Sequence, residues 1–320
     1  GGAIYNTGTL SLNASTGKTI ALNGGIDGDA NAKGTTNVSG DGLVYVANAL
    51  KNQNVNNTGN LFLDGAELTG STISGNGSVK IAGDSEIKET TLTDQTLEVE
   101  SGEELALTNV TLQKTGSGKG TVTNVAGGVL NIKNSRVNVD VNNYGIMYSD
   151  PTYYDAKVVN EGTATFDGDI FESTASLTNN ATVNLNDVEF KSGSVLTGGT
   201  GNVLNISGTG NIFNGTSTGN NAYIASSADW EGTLSNGYVN TQNGVIDAIT
   251  GAVSGGKLAV DADLNSATNK MDSFGGATGA KISSINLLNT GYGTADEVSI
   301  ALGEATLDTN YTIEGMNYYT

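Results

Sequence analysis

The stretch Val55-Asn56-Asn57-Thr58-Gly59-Asn60-Leu61-Phe62-Leu63, answered by a further apolar residue at Leu68, decides the fold. An apolar residue leads into a short Asn/Gly/Thr turn. Alternating apolar residues come next, then another polar turn and another apolar residue. The phrase returns over residues 73–87, 122–137, 159–171, 177–190 and 196–213. Alternation with period two is a strand signal. Asn and Gly are the residues that tolerate positive φ at tight corners. A motif that recurs in this way signals stacked supersecondary units.

The apolar residues that precede the turns are Val55, Ile73, Leu97, Val122, Val159, Leu177 and Leu196, at steps of 18, 24, 25, 37, 18 and 19 residues. A meander of hairpins favours two-residue turns. Here about three short strands fall within each step, which is one coil of a parallel β-helix. The expected fold is therefore all-β, a solenoid whose Val, Ile and Leu residues point inward and stack one coil above another. Coils of about 22 residues give 14 or 15 of them. The 37-residue step contains Tyr144, Met147, Tyr148, Pro151, Tyr153 and Tyr154, and is read as an excursion near residues 144–155. Residues 1–215 are expected to form regular coils. Residues 216–320, where the phrase loosens, form either a less regular continuation or a small C-terminal β unit, with strands over 257–260, 281–288, 297–302 and 311–313.

Composition narrows the function. The chain has 320 residues, 37% hydrophobic but only 6% aromatic, with 46 glycines and one proline. The formal charge is −19, and only 14 residues are basic, Arg136 being the single arginine. Phosphate backbones and anionic membrane surfaces are bound through Lys/Arg clusters, so neither is an expected partner. With no cysteine and no histidine, thiolate metal sites, disulfides and Ser-His-Asp or Cys-His catalysis are excluded within these residues. No apolar run is long enough for a membrane-spanning helix. Gly1-Gly2-Ala3-Ile4 reads as the middle of a repeat, so the chain is expected to be a piece of a larger protein.

Gly1-Gly2-Ala3-Ile4-Tyr5-Asn6-Thr7-Gly8-Thr9-Leu10 resembles the repeat opening in passenger domains of bacterial autotransporters, of the adhesin-like and polymorphic outer-membrane repeat types. The Asn/Gly/Thr-rich coils are similar across about residues 1–215. The Gly-Gly-Ala-Ile phrase occurs once, and Phe213 is followed directly by Asn214, where the polymorphic type has Phe-x-x-Asn. The resemblance implies a right-handed, single-stranded parallel β-helix. It also implies virulence-associated display at the bacterial cell surface from the outer membrane, through a C-terminal barrel lying outside these residues.

Three functions are weighed. The first is a non-enzymatic surface protein that adheres to host or neighbouring cells, by binding glycans or proteins or by self-association. Tyr144, Tyr148, Tyr153, Tyr154 and Trp230 are its candidate ligand contacts, because aromatic rings stack on sugars and on apolar groups. The second is a polysaccharide hydrolase or lyase. Hydrolysis needs two carboxylates about 5–9.5 Å apart, and the candidates are Asp27 with Asp29, Asp167 with Asp169, and Asp187 with Glu189, against Lys133 and Arg136 for a lyase. The third is a structural spacer for a binding domain elsewhere in the parent chain. No cofactor is expected except Ca2+. Asp261, Asp263, Asn265 and Asp272 have the offsets of a calcium loop, but Ser266 stands where such loops have glycine and an Asp replaces the final Glu.

Overall fold

The computed structural model describes residues 3–263, 270–288 and 304–315. Every regular element among them is a β-strand. The chain divides into two compact units, Gly1–Thr165 and Phe166–Thr320. Each is a parallel β-solenoid with about three short strands to the coil. Between them they make about 13 turns, fewer than the 14 or 15 expected, with a repeat of about 19 residues.

In the first unit the core is built from inward columns. Leu61, Val79, Leu97, Val122, Val141 and Val158 pair in direct register, one to a turn. A second column runs through Val55, Ile73, Leu92, Leu112, Val137 and Tyr154. A third runs through Leu50, Leu68, Ile87, Leu107 and Ile132. All are buried, and each such side chain contributes roughly 1.5–3 kcal/mol. The long step from Ile73 to Leu97 joined two different columns. Within its own column Ile73 is followed by Leu92, and Leu97 is preceded by Val79, each a single ordinary turn away.

One corner shows why the turns carry Asn and Gly. Asn52, Gly70, Glu89, Asn109 and Asn134 occupy it on successive turns, all with φ between 48° and 60°. The backbone N–H at this corner donates to the next turn, as from Asn52 to the Thr69 carbonyl and from Asn109 to the Lys133 carbonyl. Asn bears the left-handed conformation at lower cost than most side chains.

The expected excursion near residues 144–155 is instead a regular rung. Ile146–Tyr154 is one strand, paired in parallel with Val129–Val137 from Val129 opposite Ile146 to Val137 opposite Tyr154. The long step that suggested an insertion is two ordinary turns, marked by Val141 and Val158. Pro151 falls where Asn134 stands one turn earlier. The proline ring confines φ to negative values and leaves no N–H to donate, so the left-handed corner stops there and the strand runs through.

A neutral polar column lies within the same unit. Asn124 Nδ2 donates to Asn143 Oδ1 at 2.8 Å, and Asn143 Nδ2 donates to Asn160 Oδ1 at 2.7 Å. An amide is donor and acceptor at once, so identical side chains repeated every turn satisfy one another without charge.

In the second unit Phe171, Phe190 and Phe213 stack with centroids 4.5 and 5.5 Å apart. The ladder continues past residue 215 through Leu204, Ala222, Val239, Leu258 and Ile282, all buried. The expected strands at 257–260, 281–288 and 311–313 lie within Lys257–Asp263, Lys281–Leu288 and Thr306–Glu314. The one expected at 297–302 lies outside the described residues. Lys257–Asp263 differs from the plain rungs in being buried on both faces from Leu258 to Ala262. It also pairs antiparallel with Lys270–Met271.

Candidate functional site

A solenoid strand turns every second side chain outward, and direct register repeats that side chain turn after turn. On one outer face of the first unit this produces the column Ala49, Glu67, Glu86, Ala106, Asn131, Tyr148. Beside it runs Lys51, Thr69, Lys88, Thr108, Lys133, Asp150. The Lys51–Glu67 and Lys88–Glu86 pairs bridge the two columns at their start, and a cavity opens on either side of the first column. An open cavity of about 480 Å³ lies over Gly65, Ala66, Ser85 and Ala106, walled by Glu67, Asp84, Glu86 and Glu104. A second, of about 220 Å³, begins at the same Ala106 and ends at Tyr148, Lys133 and Asp150. The two cavities meet at Ala106 and flank the first column on its opposite sides.

Its charges are unevenly paired. Glu67 meets Lys51 at 2.7 Å, Glu86 meets Lys88 at 2.6 Å, and Asp150 meets Lys133 at 3.2 Å. The hydrogen bond from Lys51 holds the Glu67 carboxyl below its ordinary pKa. Asp84 and Glu104 have no ion-pair partner among the described residues. Asp84 accepts from the Glu104 backbone N–H at 2.8 Å, and Glu104 accepts from Asn131 Nδ2 at 2.6 Å. These bonds orient both carboxylates and leave both exposed.

The aromatic candidates separate into two groups. Tyr144, Tyr148 and Tyr153 are 49%, 50% and 44% exposed, and Ile146 beside them is 41% exposed. Tyr153 carries the Arg136 guanidinium 6.0 Å from its ring centroid. Tyr154 is 0% exposed and Trp230 1% exposed, so both are core residues and not ligand contacts. Tyr154 lies inward because it stacks in the column through Val137, and its hydroxyl is satisfied by Ser149 Oγ at 2.7 Å. Trp230 packs against Phe274 with centroids 6.3 Å apart.

The carboxylate pairs serve local structure. Asp27 accepts from the Gly28 N–H and Asp29 from the Asn31 N–H. Asp169 is fully buried and accepts from the Asp167 N–H at 2.8 Å. Asp187 takes φ 54° and accepts from the Gly210 N–H. Lys133 and Arg136 are each paired, with Asp150 and Asp155.

The calcium reading fits no better. Asp261 and Asp272 are buried, Asp263 is at the strand end, and Asn265 lies outside the described residues. No group of acidic residues among the described ones is arranged to hold a metal ion. Asp261 and Asp272 instead accept from protein donors. The Asp261 and Asp247 N–H groups and the Thr241 hydroxyl reach Asp272 at 2.6–2.8 Å. The Asn243 and Gly244 N–H groups reach Asp261 at 2.9 and 2.7 Å. Burial pushes the Asp272 carboxyl up to about 6 against these donors. It borders a cavity of about 270 Å³ lined mainly by Leu258, Val260, Phe274 and Ile282.

No known protein family and no curated protein matches the chain significantly. The column is not legible in the sequence. Its residues are small or singly charged, and only the register brings Glu67, Glu86 and Tyr148 into one line.

Proposed function

We propose that this chain is a non-enzymatic, β-helical passenger of a bacterial surface protein of the autotransporter type, displayed from the outer membrane. Its role is adhesion to glycans or proteins of host or neighbouring cells. The observation that carries this reading is the outward column flanked by two cavities, the smaller of which reaches the exposed Tyr148. A rigid column of repeated outward groups suits an extended ligand better than a compact one. An aromatic ring at one end supplies a stacking platform. The turn-bound roles of the Asp27, Asp169 and Asp187 carboxylates weigh against hydrolysis at the pairs read from sequence.

The test is binding of the chain to cultured cells and to a glycan array, with Tyr148→Ala as the comparison. Retained glycan or cell binding that Tyr148→Ala weakens supports adhesion through this face. Release of reducing sugar from a polysaccharide panel would replace the adhesive reading with an enzymatic one. Silence in every assay would leave the spacer reading standing in its place.

A further inference from the structure

We propose that the cavity of about 270 Å³ in the second unit binds a compact apolar amine. The site lies wholly within that unit and does not depend on the adhesive reading, which rests on the first. Three observations converge.

The first is a core that thins along the stack. Leu234 pairs with Val253 in direct register, and Ala252 bridges Gly276 on the following turn. Ala277 therefore succeeds Val253 in the inward column, and all three are buried. From Leu to Val to Ala the side chain shrinks at each turn. The neighbouring rung adds to the effect. Leu258 pairs with Ile282 but Ala259 pairs with Ser284, so Ser283 is an extra residue where the register shifts. A bulge of this kind bends its strand. Space opens where the plain coils are filled.

The second is the hydrocarbon wall. Leu258, Val260, Phe274 and Ile282 line the cavity, so an apolar body gains roughly 25 cal/mol for each Å² it hides from water. An apolar cavity of about 150 Å³ already accepts benzene. The larger space here has room for one ring and a short chain.

The third is uncompensated charge. Two carboxyl residues, Asp272 and Glu304, border the cavity, and no Lys or Arg does. Neither has an ion-pair partner among the described residues. Asp272 is 2% exposed. Its Oδ2 accepts from the Thr241 hydroxyl and the Asp261 N–H, and its Oδ1 from the Asp247 N–H. A carboxylate oxygen has two lone pairs, so Oδ1 has capacity for a further donor. Glu304 is oriented by the Thr278 hydroxyl, which donates to Oε2 at 2.8 Å. Ionised carboxylates accept and never donate. An ammonium group is the donor they bind most strongly, and it offsets a charge that burial penalises.

The experiment is titration calorimetry of the 320-residue chain with phenethylamine, phenethyl alcohol, hydrocinnamate and ethylamine. Phenethylamine is expected to bind about tenfold tighter than the alcohol of the same shape. Hydrocinnamate, which carries the wrong charge, and ethylamine, which lacks the ring, are expected to give no heat of binding. Ala277→Leu and Ala305→Leu each put bulk at a buried lining position and are expected to abolish phenethylamine binding. Glu304→Gln, at an exposed position, is expected to narrow the gap between amine and alcohol. Circular dichroism checks each fold, and either alanine variant suffices if the other unfolds. Alcohol binding as tightly as the amine overturns the proposal by removing the role of the carboxylates. Ethylamine binding as tightly overturns it in favour of an unspecific acidic surface. Undiminished binding by a folded filling variant places the ligand elsewhere and overturns it too, as does silence from every probe. Cell adhesion that depends on Tyr148 is untouched by any of these results.

Discussion

Both units bury polar side chains, and one cluster in each shows opposite chemistry. The first unit stacks Asn124, Asn143 and Asn160, each amide donating to the next. The second buries Asp247, Asp261 and Asp272 together and supplies the donors from backbone N–H groups and from Thr241. Amides repeat indefinitely because each is both donor and acceptor. Carboxylates cannot, since each needs donors from elsewhere and each adds a charge to be desolvated. A regular coil can therefore propagate with Asn in its lumen. The buried Asp247, Asp261 and Asp272 draw backbone donors from residues 243, 244, 247 and 261, beside the antiparallel return at Lys270–Met271.

The sharpest way to break this comparison is to place a carboxylate where no donors wait. Leu185 is fully buried in a plain column, stacked on Ile206 of the next turn. Leu185→Asp should cost about 3–5 kcal/mol, the range for an uncompensated buried charge, seen as a lowered urea midpoint at neutral pH. An unchanged midpoint would show that the position is not inward.

Asp272 gives the next largest effect, and its sign is opposite to that of an ordinary ion-paired Asp. Its folded pKa, about 6, lies above the unfolded value near 3.8. Between those values the folded state holds more protons than the unfolded one. Stability from this group is thus greatest below about pH 4 and is lost as pH rises through about 6, amounting to roughly 3 kcal/mol for a displacement of that size. Urea melts from pH 4 to 7 should show that decline, and Asp272→Asn should flatten it.

Asn143→Ala removes a group that accepts from Asn124 and donates to Asn160, Gly145 and Thr163. The orphaned partners should cost about 1–3 kcal/mol, independent of pH, which separates the amide column from the acidic cluster. The smallest effect is expected outside the lumen. Lys80→Met breaks the pair with Glu98 at 2.8 Å, with both side chains about a third exposed. The loss should be no more than about 1 kcal/mol and should vanish at high salt.

Much of this architecture was legible in the sequence, and the parts that were not have identifiable causes. Val141-Asn142-Asn143-Tyr144-Gly145 repeats the pattern of Val55-Asn56-Asn57-Thr58-Gly59. The turn it announces was hidden by the rung after it. Ser149 and Thr152 take inward positions there and are buried, so the apolar alternation fades where it should mark a core. Pro151 adds a breaker signal in mid-rung. The tyrosines were legible as a group but not as individuals. Tyr153 and Tyr154 are adjacent, and a strand sends neighbours to opposite faces. Which one faces solvent depends on register against Arg136 and Val137. Trp230 joined the candidates on residue type alone, and its place in the core rests on packing against Phe274.

The amino-acid sequence by itself determined the class of structure. Short alternating runs of Val, Ile and Leu can be buried only as strands, and Asn and Gly recurring at corners permit the positive φ that brings each strand back over the last. These are local properties of residue type and spacing. Tertiary structure alone decided which outward side chains share one face. The outward column from Glu67 to Tyr148 draws one residue from each of several successive turns, far apart along the chain. Their alignment is set by inter-strand hydrogen bonding, and no local pattern encodes it.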